Sequence, residues 1–290
     1  MKPSRKVAGR GPMRGPDKKR ADSKKARIIF GVSAAFMVLF GVVAVMARQP
    51  DTDPLTGCPT GDRAPEAHTV ILIDETDQLS AADVRFGRDL IMTEYRWLPL
   101  GGRMTVRNIL ADPTEAEDIS FCRMATESRT GGVLDNDKAI KSQFDRVAGR
   151  KLSELFANLA EAPVQTKSPI MESVASTMDR SDFGSNVDHR RLVIYSDMAQ
   201  HSDLYSNYSS HGRRNSGPSE EALEELSRDM SDVDVRLQYI RRRSLARIQG
   251  SGHKEFWKNY FTSMDANVAI GHDLLLGEPE DRETWVAGSG

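Results

Sequence analysis

Asp74, Glu75, Thr76 and Asp77 follow directly on four apolar residues, Val70 to Ile73. A strand here would run out of a hydrophobic interior into three carboxylates and a hydroxyl. Like charges at this spacing repel, and desolvating a carboxylate is costly unless a cation or hydrogen bonds meet it. Either water solvates the cluster at a strand end, or something positive sits there. A second apolar run, "RRLVIYSD" at 190–197, also stops on an acid, Asp197. Other chemistries find little support. The six histidines show no His-x-x-x-His or Cys/His spacing, and there is no Gly-x-Ser-x-Gly elbow. No Gly-x-x-x-x-Gly-Lys-Ser/Thr loop occurs, and Thr76 breaks an Asp-x-Asp start. No nucleophile or general base stands out, which argues for a binding protein over an enzyme.

The elements that must position these acids alternate from residue 68 onward. The continuous apolar run at 69–74 suits a central parallel strand covered on both faces. A helix starts near Ser80, with Asp83 as its capping-box partner. Strands follow at "RMTVRNILA" and "DISFCRM", then one long helix over about 138–160 with a stripe from Ile140 through Phe144, Val147 and Leu152 to Leu159. A short helix begins after Ser168, with Pro169 in its first turn. After the strand at 190–197 come a polar loop at 199–218, a helix from about 219 to 230, and the strand "VDVRLQYI". A last helix carries Phe256, Trp257, Tyr260 and Phe261 as core aromatics, and "NVAI" closes the sheet. This alternation predicts an α/β fold, an open, mostly parallel, doubly wound Rossmann-like sheet with helices on both faces. Ligands in such sheets bind beyond the carboxyl ends of the strands. Asp74 and Asp197 converge there if their strands are neighbours.

Residues 68–276 resemble a von Willebrand factor A-like domain, on three stretches in the family's order. Asp74-Glu75-Thr76-Asp77-Gln78 stands for the family's Asp-x-Ser-x-Ser after the first strand. Ser168-Pro169-Ile170 stands for its Thr before a short helix, and Ser196-Asp197-Met198 for its Ser-Asp-Gly. The resemblance implies a metal-ion-dependent adhesion site with Asp74, Thr76, Ser168 and Asp197 as ligands, for Mg²⁺ or another divalent cation. An acidic group of a protein partner would complete the coordination. Gln78 stands where a second hydroxyl is usual, with an amide oxygen to offer, and Ser168 replaces Thr with its hydroxyl kept. Met198 replaces Gly. Glu75 and Asp77 are carboxylates the family does not require, Asp77 an additional rim or metal residue. Hard cations take such oxygen ligands, with water filling an octahedron.

The rest of the chain says where this domain works. The net charge of −2 over 290 residues hides an asymmetry: residues 1–27 carry 11 Lys/Arg and two acids. Residues 28–47, "IIFGVSAAFMVLFGVVAVMA", carry no charge. As a helix they would span about 30 Å, enough for one transmembrane pass and longer than a signal-peptide core. The basic flank precedes the span, so the N-terminus is expected in the cytoplasm and residues 48–290 outside, in a periplasm or extracellular space. The 1–27 tail has no aromatic residue for stacking and reads as a topogenic tail, not a nucleic-acid binder. Residues 48–67 read as a linker and 277–290 as a C-terminal tail. Cys58 and Cys122, an even pair in an oxidising compartment, are expected to form one disulfide. The loop at 199–218 follows Asp197, so Tyr205, Tyr208, Arg213 and Arg214 are expected to face a partner. Arg241 to Arg243 read as a solvated face, with pairing to acids on a partner as the alternative.

Overall fold

The computed structural model describes residues 36–40, 52–60, 64–124, 136–161, 164–209 and 217–271. The chain divides into two units, Met1–Pro50 and Asp51–Gly290. Of the first, residues 36–40 are described, and they are helical and exposed. The rest of the expected span at 28–47, the tail at 1–27 and the tail at 277–290 lie outside the described residues. Among the described residues no helix is long and apolar enough to cross a membrane.

The second unit is a six-stranded sheet. Its strands are β1 (Ala67–Asp74), β2 (Arg103–Ile109), β3 (Asp118–Cys122), β4 (His189–Ser196), β5 (Val233–Tyr239) and β6 (Asn267–Gly271). Their order is β3-β2-β1-β4-β5-β6, and only β3 runs antiparallel, paired to β2. The expected open, mostly parallel sheet is therefore present, with β1 and β4 side by side. Alternation along β1 splits the core in two. Val70 and Leu72 pack with Ile170, Val174, Trp257 and Phe261 on one face. Ile71 and Ile73 pack with Leu90, Ile91, Leu152 and Phe156 on the other. All eight residues of β1 are buried, which is why the run carries no polar alternation.

The helices are α1 (Ala81–Trp97), α2 (Asn136–Phe144), α3 (Arg150–Glu161), α4 (Ile170–Met178), α5 (Glu220–Leu226) and α6 (Ser251–Thr262). Ser80 and Asp83 form the expected capping box at the start of α1. The long helix expected at 138–160 is interrupted: Asp145–Gly149 is a π segment between α2 and α3. The stripe explains it. Ile140, Phe144, Ala148, Leu152 and Phe156 are all buried and recur at every fourth residue. Four residues of α-helix turn about 400°, so such a stripe drifts around the axis. A wider π turn between the halves brings it back onto the sheet. The helix expected to reach residue 230 stops at Leu226, where Ser227 donates its backbone N–H to Leu223.

Residues 52–60 of the expected linker are tied to the domain. Asp53 and Thr56 close a turn, the Cys122 amide donates to the Thr56 carbonyl at 2.8 Å, and Cys58 and Cys122 form the expected disulfide. The bridge joins residues 64 apart. Closing such a loop removes denatured-state entropy worth roughly 4 kcal/mol in the chain-entropy model. Replacing both cysteines by Ser is expected to lower unfolding free energy by about 2–4 kcal/mol, measured by urea titration with and without reductant. Reductant should leave the double variant unchanged.

Candidate metal centre at the switch point

Chain connections leave the sheet in opposite directions from β1 and β4, so a crevice opens beyond their carboxyl ends. Parallel pairing sets Ile73 opposite Tyr195, which carries Asp74 and Asp197 to the same rim. Both are nearly excluded from solvent, at 4% and 6% exposed. Asp74 is wrapped in donors. Its Oδ1 accepts from the Thr76 amide at 3.0 Å and the Thr76 hydroxyl at 2.5 Å. Its Oδ2 accepts from the Ser196 hydroxyl at 2.6 Å and the Ser168 hydroxyl at 3.5 Å. The structure therefore brings Asp74, Thr76, Ser168 and Asp197 together, and it adds Ser196. The sequence analysis names Ser196 in the Ser196-Asp197-Met198 stretch but gives it no role at the site.

Asp197 is less well met. Its Oδ1 accepts from the Ala199 amide at 2.9 Å. Burial, then the neighbouring Asp74 charge, push its carboxyl up to about 7. Among the described residues Arg242 is the cation beside it, its Nε 4.0 Å from Asp197 Oδ2, beyond hydrogen-bond reach. Two enclosed carboxylates thus share the rim, Asp74 met by hydroxyls and an amide and Asp197 by one amide.

The next residue shows what the turn requires. Met198 has φ of 62°, the left-handed region that favours Gly. A side chain there costs about 1–2 kcal/mol. Met198 offsets this by burying its side chain completely in the core around Trp257, whose indole N–H donates to the Met198 carbonyl at 2.9 Å. The departure from Gly thus keeps the turn.

Ser168 is held from the far side. Its amide donates to the His201 carbonyl at 2.8 Å, and the His201 amide returns a bond to the Ser168 carbonyl at 2.9 Å. Through residue 209 the loop after Asp197 is folded over the rim. Tyr208 is 43% exposed and borders the acids: burial, then the charges of Asp197, Asp77 and Asp74, push its phenol up to about 12. Tyr205, expected at a partner-facing surface, is turned into the core instead. It is buried and stacked on Phe256, ring centroids 5.5 Å apart, because the loop needs an apolar anchor on α6. Arg213 and Arg214 lie outside the described residues. Asp77 is half-buried, and its charge is felt at Asp197. Gln78 is turned away: it is exposed and donates to the Ala160 carbonyl at 2.7 Å. Glu75 is also spent elsewhere, accepting from Asn108 at 2.7 Å.

Two further residues complete the rim. Gln249, 3% exposed, donates to the carbonyls of Asp197 (2.9 Å) and Ile240 (2.8 Å) and accepts from the Arg242 amide (2.9 Å). It ties the loop after β5 to the end of β4. No sequence signal marks a glutamine 52 positions from the residue it braces. Arg242 was expected on a solvated face with Arg241 and Arg243. Instead it is turned inward, its side chain 19% exposed.

The donor set tests whether a cation fits. Among the described residues no group of three or more His, Cys, Asp or Glu is arranged around a metal position. A metal here would rest on two carboxylates, hydroxyls and water. That all-oxygen set suits a hard divalent cation such as Mg²⁺ and not zinc. Asp74, Thr76, Ser168 and Asp197 would hold it, and bound there it would supply a Lewis-acidic position for an anionic oxygen. A serine or threonine hydroxyl can donate to Asp74 and still offer a lone pair.

No protein-family model and no curated protein matches the chain. Among solved structures, it is similar to the crystal structure of the SpRpn10 VWA domain, at 13% identity over 72% of this chain and 91% of that one, with a TM-score of 0.34. It is also similar to a von Willebrand factor type A protein from Catenulispora acidiphila, at 11% identity over 72% of this chain and 39% of that longer one, with a TM-score of 0.37. Both are likenesses of fold, at identities that carry no residue role or ligand across.

Proposed function

We propose that the chain is a membrane-anchored, exported binding module that engages an acidic group of a partner protein through a divalent cation held by Asp74, Thr76, Ser168 and Asp197. The observation that carries this reading is the pair of enclosed carboxylates at adjacent strand ends, one of them pushed up to about 7 by burial and by the other's charge. The anchor rests on the uncharged stretch at 28–47 and its basic flank. The Cys58–Cys122 disulfide supports an oxidising compartment for the domain. Within this reading the N-terminus is cytoplasmic and the domain periplasmic or extracellular, in an envelope complex. A metal-free scaffold is the second reading. It is favoured by the hydrogen bonds that already occupy both Asp74 oxygens.

Calorimetric titration of the detergent-solubilised chain with Mg²⁺ and Mn²⁺, beside Asp197→Asn, separates the two. Metal binding predicts saturable heat that weakens at least about a hundredfold in the variant, since removing one charged ligand costs several kcal/mol. The metal-free variant should also be more stable than the parent, because Asn keeps the bond from Ala199 without a buried charge. No heat from the folded parent with either metal would leave the scaffold reading.

A further inference from the structure

Four large apolar side chains of the second unit are exposed among the described residues: Leu55 (79%), Leu100 (60%), Val164 (72%) and Tyr208 (43%). They fall at the two ends of the sheet. Tyr208 borders the acid rim, and Val164 lies near it, since the next residue, Gln165, donates its amide to the Thr76 carbonyl at 2.8 Å. Leu55 and Leu100 belong to the other end, where β2 begins and β3 finishes. Each sits in a closed turn. Asp53 accepts from the Leu55 amide at 2.8 Å and the Thr56 hydroxyl at 3.0 Å, and the Gly57 amide donates back to the Asp53 carbonyl at 2.7 Å. Leu100 is at the tip of a turn that the Gly102 amide closes on the Pro99 carbonyl at 2.9 Å, with Gly101 supplying the φ of 77°. Both turns are bonded to one strand end, the Cys122 amide donating to the Thr56 carbonyl at 2.8 Å and the Gly101 amide to the Arg123 carbonyl at 2.6 Å. They also approach each other, for a Cβ at Gly101 would lie 3.7 Å from Pro59 Cγ. Arg96, exposed, and Trp97, half-buried, end α1 just before the second turn.

We infer that this end of the domain rests on the lipid bilayer, with Leu55 and Leu100 dipping into the boundary between headgroups and acyl chains. The inference rests on the anchor in the reading above and adds the surface on which the domain lies. Chain length carries it. Leu55 is eight residues beyond Ala47, the last residue of the uncharged stretch, and that much chain reaches at most about 28 Å. The disulfide from Cys58 to Cys122 then fixes the tether to β3, so it cannot lengthen by peeling away. A lone exposed leucine is ordinary, but two on neighbouring turns at the tethered end are placed where lipid can cover them. Their surroundings suit that boundary. Aliphatic tips enter the acyl edge, a tryptophan sits at headgroup level, and an arginine meets lipid phosphate. Asp53, the acid of the first turn, has both carboxylate oxygens engaged within the turn. The opposite rim follows from the same geometry. β1 runs eight residues from this end to Asp74, so the carboxylate pair stands roughly 25 Å further from the lipid, where a partner protein can reach it.

The test uses the full chain with one added cysteine, Leu100→Cys or Val164→Cys, carrying a nitroxide and reconstituted in vesicles of phosphatidylcholine and phosphatidylglycerol. Both native cysteines are in the disulfide, so each variant offers one thiol, and both positions are exposed enough to label without disturbing the core. Oxygen concentrates in lipid and a nickel chelate in water, so the ratio of their collision rates with the label reports depth. That ratio should be severalfold higher at 100 than at 164. Leu55→Asp in the same chain should bring the value at 100 down toward that at 164, because a carboxylate resists the acyl boundary. Equal ratios at the two positions with the disulfide intact, or a ratio at 100 that Leu55→Asp leaves unmoved, overturn the inference. A carbonate wash of the same vesicles reads the anchor separately. A chain that resists the wash while its label at 100 stays in water keeps the anchor and removes the lipid contact. A chain that washes off after showing a lipid-immersed label at 100 loses the anchor and keeps the contact as a peripheral one. Loss in the wash with a label in water removes both.

Discussion

Asp74→Ala is expected to cost the domain about 3–5 kcal/mol of unfolding free energy, measured by urea titration in metal-free buffer. Asp74 is the acceptor at which the Thr76 amide and the Thr76, Ser196 and Ser168 hydroxyls converge. Alanine leaves those enclosed donors without a partner, each at about 1–3 kcal/mol, against a smaller gain from relieving the charge on Asp197. Asp74→Asn keeps one acceptor oxygen and should lose no more than about 2 kcal/mol. The two carboxylates therefore separate by sign: Asp74 stabilises the fold and Asp197 strains it. Equal losses for Asp74→Ala and Asp197→Asn would refute this assignment. For metal titrations, Asp197→Asn is accordingly the cleaner control, since loss of binding in Asp74→Ala would not be distinguishable from loss of the turn.

Acidification from pH 7 to 5 should also weaken the domain, through two buried imidazoles. His68 and His253 are fully enclosed, and burial holds both down at about 4. Their unfolded value is 6.5, so the unfolded chain binds protons first as pH falls. Each contribution is complete above pH 6.5 and is lost as pH falls toward 4, at about 2 kcal/mol per histidine by pH 5. Asp197 runs the other way. A folded value near 7 against 3.8 unfolded adds stability below pH 7, offsetting about one histidine. The net loss at pH 5 is therefore about 2 kcal/mol, and it should roughly double in Asp197→Asn. His68 has named partners: its Nδ1 meets the Asp182 carbonyl at 2.8 Å and its Nε2 meets the Thr105 hydroxyl at 2.8 Å. Protonation of Nε2 there forces the Thr105 hydroxyl to turn. Urea titrations at pH 7 and 5 of the parent and of His68→Gln decide it, the variant losing about 2 kcal/mol less than the parent. A pH slope unchanged in His68→Gln would place the acid sensitivity elsewhere.

Local signals determined much of this protein. The uninterrupted apolar runs at 70–73 and 192–195 specify central strands, because a strand covered on both faces has no polar alternation to show. Ser80 and Asp83 specify a helix start, because the capping box is a contact three residues long. The acids at 74 and 197 specify a polar rim, because each closes an apolar run. Two cysteines, the chain's whole complement, leave one pairing open to them. Longer-range features had no such local trace. The π segment at 145–149 arises from where an every-fourth-residue stripe must land on the sheet, which depends on the opposing side chains. Tyr205 in a polar loop reads as exposed until α6 supplies Phe256 to stack on. Arg242 reads as one of three solvated arginines until Gln249 pins its backbone beside Asp197. Spacing along the chain carries contacts within a turn or a strand. Which carboxylate is satisfied by hydroxyls, and which is left facing an arginine out of reach, is decided by pairing β1 with β4 and folding two distant loops across their ends.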